Sequence, residues 1–245
     1  MQLPKACVLV AGADRGVGAA VTAHLLELGC TVFAGRFMEE ERELEPLRDR
    51  FPGKLTTVPL DVSRDESVRQ AAALVGSSTT ALDIIFNVAG IKGDMKTVIP
   101  GRIDYDEALR VYNTNALGAL RVANAFFPLL EAGTARLVVN VSSEAGSIGS
   151  CWRESWYAYC LSKAALNMVS ALLHNRMKAL GGFVIAIHPG SVQTKMHDPD
   201  DPGEISPLES AAGMIEVIEK ALAGSPHFRG EHPAFVDYRG APLPW

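Results

Sequence analysis

A chain of 245 residues, 48% hydrophobic and 21% charged, has the makeup of an ordinary globular protein and is long enough to bury a sizeable core. Its formal net charge of -5, without a clustered run of Lys or Arg, argues against a nucleic-acid partner, because duplex binding rests on neutralising several phosphates. Six histidines with no two at ligand spacing and four cysteines without a Cys-x-x-Cys pair argue against a metal, and no apolar run nears the length of a membrane span.

The chain opens with a short apolar strand at 6–10, followed by Ala11-Gly12-Ala13-Asp14-Arg15-Gly16-Val17-Gly18. A helix is expected next, with Ala20, Val21, Leu25 and Leu28 at helical spacing and Gly29 as its stop. Gly12, Gly16 and Gly18 therefore sit in a strand-to-helix turn. Glycines there permit a tight turn, close backbone approach to a pyrophosphate and close helix packing, while the helix N-terminus offers N–H groups to the anion. The second strand, Thr31-Val32-Phe33-Ala34-Gly35, ends on Arg36. An NAD-specific enzyme carries Asp or Glu at this place to accept from the ribose hydroxyls, and such a carboxylate repels a 2′-phosphate. Arg36, joined by Arg15 in the glycine turn, points instead to NADP, held by charge-assisted contacts. The acidic run Glu39, Glu40, Glu41, Glu43 and Glu45 fits the first turns of a helix, solvated and without a functional role.

Further strands are expected at 55–60, 82–86, 135–141, 183–188 and 234–237, separated mostly by helical stretches. Such alternation predicts an α/β doubly wound parallel sheet of Rossmann type, about seven strands with helices on both faces. No repeat or linker divides it, so 1–245 is read as one domain, with 195–207 as a short substrate lid. The opening residues reach the first strand too soon to hold a signal peptide, which predicts a cytoplasmic address.

Tyr159 and Lys163, spaced Tyr-x-x-x-Lys, stack a phenol and an ammonium one turn apart on a helix face. A free tyrosine titrates near ~10, so a phenol exchanges protons near neutrality only where a cation stabilises its phenolate. Tyr157 is the competitor, but Leu161 stands four residues beyond it. Tyr159 is the predicted acid/base.

The spacing Gly-x-x-x-Gly-x-Gly, Asp61-Val62 after a strand, Asn87-Val88-Ala89-Gly90, Asn115 in Asn-Ala-Leu-Gly118, Ser143 at a strand's end, and Pro189-Gly190-Ser191-Val192-Gln193-Thr194 follow one another along the chain. Together with Tyr159 and Lys163 they resemble the short-chain dehydrogenase/reductase family in its single-domain, NADP-type branch. The Phe235-to-Trp245 tail is similar to that of a subgroup of small carbonyl reductases. The resemblance implies hydride transfer between a nicotinamide and a carbonyl or alcohol carbon, with Asn115, Ser143, Tyr159 and Lys163 as the catalytic set. It further implies a cofactor bed of Gly12, Asp14, Arg15, Gly16, Val17, Gly18, Arg36, Asp61, Val62, Asn87, Ala89, Gly90, Pro189, Gly190, Val192 and Thr194. Ala11 stands at the family's usual Thr, Val88 replaces its second Asn, and the Ser143-to-Tyr159 separation is longer than common and holds Cys151, Trp152, Arg153 and Trp156.

The partner expected is a small carbonyl or alcohol substrate, a ketone, aldehyde or quinone in an apolar and partly aromatic pocket. Ile91, Lys92, Ile148, Trp152, Trp156, Met196 and His197 are the candidates to line it. Helices near 105–130 and 156–180 carry surplus apolar residues, Ala116, Leu120, Ala123 and Phe127 on one and Ala164, Met168, Ala171 and Leu172 on the other. A homodimer or homotetramer follows, and the family resemblance points the same way. The competing class is a catalytically idle sensor or scaffold that keeps the dinucleotide fold without turnover.

Overall fold

The computed structural model describes residues 3, 5–196 and 203–245. Of the lid expected at 195–207, residues 197–202, His197 included, lie outside the described residues. The expected sheet is present, with seven parallel strands in the order β3-β2-β1-β4-β5-β6-β7. They span Cys7–Ala11 (β1), Thr31–Arg36 (β2), Leu55–Pro59 (β3), Ile84–Asn87 (β4), Leu137–Val141 (β5), Phe183–His188 (β6) and Ala234–Asp237 (β7). Strands buried on both faces read as near-continuous apolar runs, and β1 does so, with β5 interrupted only by Asn140, because helices cover the sheet on each side. Alternate residues go to opposite faces. Val8 and Val10 join a core with Val21, Leu25, Met214 and Ile218 from α1 (Gly16–Glu27) and α8 (Pro207–Leu222), whereas Leu9 and Ala11 pack with Val68, Val75, Val122 and Phe126. β2 and β3 run to one side of β1 and β4 to β7 to the other, so a crevice opens at the carboxyl ends of β1 and β4.

The helix foreseen over 105–130 is broken. Between β2 and this region lie α2 (Glu45–Arg50) and α3 (Asp65–Ser78), and then α4 (Tyr105–Tyr112) passes into a π-helical turn, Asn113–Leu117, before α5 (Gly118–Ala125) and α6 (Phe127–Ala132). A π turn seats one residue more than an α turn, and here Asn115 takes the extra space to reach the backbone of Ile91. The α5–α6 break coincides with Pro128, which has no N–H to continue the ladder. By contrast the long helix expected over 156–180 is continuous as α7, Tyr157–Lys178.

Of the acidic run only Glu45 stands in the first turn of a helix, because α2 begins there. Residues 38–41 instead wrap the Arg36 guanidinium. Its Nε donates to the Met38 carbonyl at 3.2 Å, its Nη2 to the carbonyls of Glu39 and, at 3.0 Å, Glu41, and its Nη1 lies 3.5 Å from Glu45 Oε1. Planar donors of fixed direction are well matched to converging carbonyls, and that match wins over helix propensity in this stretch.

Under the crevice two sheet strands and α7 are tied together by amides. Asn87 Nδ2 donates to Asn140 Oδ1 at 2.8 Å, and Asn140 Nδ2 donates to Ser170 Oγ of α7 at 2.8 Å. Both asparagines are buried, so removing the middle member strands polar groups away from water. Asn140→Ala is therefore expected to lower the unfolding free energy by about 1–3 kcal/mol. Chemical denaturation would register this as a lower midpoint with an unchanged slope.

Candidate active site

The glycine turn is built by contact distances that admit no side chain. Gly12 has φ 90°, and a Cβ there would lie 2.6 Å from the Ala89 amide nitrogen; one on Gly18 would lie 1.9 Å from the Gly12 carbonyl oxygen. Asp14, the polar member of the turn, accepts from the backbone N–H groups of Phe37 and Met38 at 2.7 and 2.9 Å and so anchors the loop after β2. The first free N–H of α1, at Gly16, donates to Glu43 Oε2 at 3.2 Å, as an anion at a helix N-terminus should accept. Glu41, its side chain only 10% exposed, lies between Arg15 Nη1 at 3.0 Å and Lys195 Nζ at 2.7 Å, and these cations hold its carboxyl below the usual carboxylate range, Lys195 most of all.

A cleft of about 410 Å³ runs along this turn. It is lined by the predicted Gly12, Asp14, Arg15, Gly16, Val17, Gly18, Asp61, Val62, Ala89, Gly90, Ile91, Pro189, Gly190, Val192, Thr194 and Met196, and also by Tyr159 and Lys163. Its donors at the turn, its cations on one flank and the bare backbone approach at Gly12 fit the pyrophosphate and adenosine half of a dinucleotide.

Tyr159 and Lys163 stand in the first turns of α7. Lys163 is 4% exposed and donates from Nζ to the Val141 carbonyl at the end of β5, 2.8 Å away. Burial pushes its pKa down to about 8, the direction that desolvation gives an ammonium. The Tyr159 ring centre lies 5.6 Å from Nζ. Desolvation pushes its phenol up to about 12, partly opposed by a hydrogen bond with the Ser143 hydroxyl. Ser143 ends the strand segment and accepts from the Ala145 N–H at 3.2 Å, in a short 3-10 turn, Glu144–Gly146. Asn115 sits beneath. Its Oδ1 accepts from Ile91 N at 2.8 Å, and its Nδ2 donates to Ile91 O and Ser162 Oγ at 2.8 and 2.9 Å, so its amide locks the β4 loop to α7.

Several predicted residues fall outside the cleft wall. Arg36 is turned onto the carbonyls of its own loop, Asn87 faces Asn140, and Asn115 and Ser143 support the wall from behind or beside it. Ile148 and Trp152, expected in a substrate pocket, are 82% and 76% exposed, and Trp156 packs on Arg153. Helix α7 starts at Tyr157, and of the segment before it Cys151, Trp152 and Glu154 lie exposed on the surface. The cleft meanwhile contains residues that the sequence reading passed over, among them Phe37, Ser63, Arg110, Thr114 and Ser142. Only Ser142, beside Ser143, carried a local signal. Glu41 and Glu43 had one too, since five carboxylates in seven positions next to a phosphate-type turn are unusual, but their partners are brought close by tertiary structure alone.

A model of the short chain dehydrogenase family matches residues 6–204. The chain is 36% identical over 216 residues to a 1-hydroxy-2-glutathionyl-2-methyl-3-butene dehydrogenase of Rhodococcus sp. (strain AD45), covering 86% of this chain and 90% of that protein. Among solved structures, a carbonyl reductase from chicken fatty liver with NADPH bound is 32% identical with a TM-score of 0.85, covering 98% of this chain and 99% of the other. The carbonyl reductase Sniffer of D. melanogaster is 26% identical with a TM-score of 0.87, over 98% and 100%. With the glycine turn, the seven-stranded sheet and the Tyr159–Lys163 helix already in place, this match over most of its length makes the chain an oxidoreductase of the short chain dehydrogenase family.

Proposed function

We propose that the chain is an NADPH-dependent reductase of a ketone, aldehyde or quinone carbonyl, reversibly oxidising the corresponding alcohol, with Tyr159 as the proton donor. The observation that carries this reading is the buried Lys163 ammonium held beside a desolvated Tyr159, with the Ser143 hydroxyl against the phenol. A bound NADPH supplies the hydride. As charge grows on the carbonyl oxygen, Ser143 donates a hydrogen bond to it and Tyr159 gives up its proton. Lys163 stabilises the phenolate left behind, and Asn115 keeps the loop carrying Gly90 and Ile91 at a fixed distance from α7. A protein that only sensed the dinucleotide would have no use for a lysine desolvated beside a phenol, an arrangement that opposes folding.

Tyr157 has other duties, since its hydroxyl donates to the Glu154 carbonyl at 2.7 Å and accepts from Ile99 N at 3.2 Å. Tyr159→Phe is expected to abolish turnover with the NADPH dissociation constant changed by less than about twofold, while Tyr157→Phe keeps most activity. Steady-state rates with a panel of carbonyl compounds, together with a fluorescence titration of NADPH, decide the matter; an active Tyr159→Phe would end the assignment.

The cofactor choice rests on Arg15 in the cleft wall and Arg36 behind it, with no carboxylate at the end of β2. The similar carbonyl reductase that holds NADPH supports it. Glu41 and Glu43 compete with a phosphate for Arg15 and for the Gly16 N–H. NADPH is expected to bind more tightly than NADH by about a hundredfold, or ~3 kcal/mol. Arg15→Glu should collapse that ratio, and equal dissociation constants in the parent protein would refute the preference.

A homodimer or homotetramer belongs to the same reading. Leu161, Met168 and Leu172 lie exposed along α7, and Leu109 and Leu120 are exposed on α4 and α5. Ala116 and Ala123, expected on the shared face, are turned into the protein's own core. Light scattering should show an oligomer, and Met168→Glu combined with Leu172→Glu should give monomers. A monomeric parent at micromolar concentration would contradict it. A cytoplasmic address accords with four cysteines that are all free. No helix among the described residues is long and apolar enough to cross a membrane.

A further inference from the structure

Between Ser143 and Tyr159 the chain forms a contact network from residues outside the catalytic set of Asn115, Ser143, Tyr159 and Lys163. Arg153 is nearly enclosed, its side chain 7% exposed, and it meets the Glu144 carboxylate with both terminal nitrogens: Nη1 donates to Oε2 at 2.9 Å and Nη2 to Oε1. This is the fork geometry that a guanidinium makes and an ammonium does not. The guanidinium carbon lies 4.6 Å from the Trp152 ring centre and 4.4 Å from that of Trp156.

Each end of the network touches the chemistry. Glu144 follows Ser143 directly in the 3-10 turn, and the same turn is pressed on α7, where a Cβ on Gly146 would come within 2.7 Å of the Lys163 carbonyl carbon. Trp156 is the residue before α7 and adopts the left-handed conformation, φ 66° and ψ 29°, which a bulky side chain disfavours unless its surroundings hold it. Its ring meets Tyr159 edge-on, with centres 6.3 Å apart and planes at 76°.

We propose that Arg153 is a positioning residue: by gripping Glu144 as a fork while packed on Trp156, it sets the Ser143 hydroxyl and the Tyr159 phenol at a fixed separation. The proposal rests on Tyr159 being the proton donor. Arg153 and Glu144 also act on the phenol with opposite signs, the guanidinium favouring phenolate and the carboxylate opposing it. The other groups facing the phenol are Ser143 from the turn, and Cys160 and Lys163 from α7, while His188 at the end of β6 faces Glu144, Lys163, Arg153 and Asp237.

The test uses a ring-fluorinated tyrosine at position 159, which lowers the ionisation range, with fluorine NMR following phenolate formation in the full chain independently of turnover. Arg153→Gln is expected to raise the ionisation midpoint, Glu144→Gln to lower it, and the double variant to return it close to the parent. Arg153→Lys keeps the charge, so its midpoint stays near the parent, yet kcat falls about tenfold or more with NADPH affinity unchanged, because the fork is lost. Should Arg153→Gln not fold, Glu144→Gln and Arg153→Lys carry the test. Parent-like turnover in Arg153→Lys, or single variants that move the midpoint in the same direction or leave it unmoved, would overturn the proposal. Failure of the underlying reading shows differently, as an active Tyr159→Phe.

Discussion

The donation from Lys163 Nζ to the Val141 carbonyl is the constraint around which the rest is arranged. A buried ammonium is tolerated only where it is hydrogen-bonded, and desolvation lowers its pKa from the ordinary lysine range. To place that nitrogen there, the first turns of α7 must cross the end of β5 closely. Gly146 permits the crossing, since a side chain on it would run into the Lys163 backbone. Gly90 permits the approach from the other side, where a Cβ would meet Asn115 Oδ1 at 3.3 Å and Lys163 Nζ at 3.8 Å. The cation, the phenol and the two glycine gaps form one steric solution.

At the other end of the cleft the governing term is charge. Arg15, Arg36 and Lys195 would repel one another across a narrow space if left bare. The loop after β2 places Glu41 and Glu43 among them and directs its own carbonyls at Arg36. These are partly exposed pairs, individually weak and screened by salt, so they order the loop without fixing it tightly. The cations beside the phosphate-type turn are thus partnered by carboxylates and carbonyls from the loop after β2.

Strand positions and the Tyr159–Lys163 helix were legible because both are written in local patterns: β1, β5 and β6 are largely apolar runs, broken only by Asn140 in β5 and ended by His188 in β6, and an i, i+4 spacing on a helix needs no tertiary knowledge. The glycine turn was legible for the same reason. What escaped was whatever depends on a partner far away in the chain. Glu41 finds Lys195 154 positions further on, a contact no periodicity announces. The acidic run looked like a helix start because its propensity and dipole preference agree with one, and the Arg36 guanidinium overrode both. Ile148 and Trp152 were expected to line a substrate pocket, yet neither lines the cleft.

The π turn at Asn113–Leu117 adds a shift of phase to the helix it interrupts. One additional residue advances the helical wheel by about 100°, so a face continuous in sequence before the turn is not continuous after it. Tyr105, Leu109 and Tyr112 lie outward ahead of the turn, whereas Ala116, Ala119, Val122 and Ala123 lie inward from the turn onwards. Loss of a single residue anywhere in this stretch would restore a regular helix and rotate either Asn115 off Ile91 or the inner face of α5 off the sheet. Single-residue deletions between Tyr105 and Ala125 are thus a different class of change from substitutions there, because each forces a choice between the site and the core.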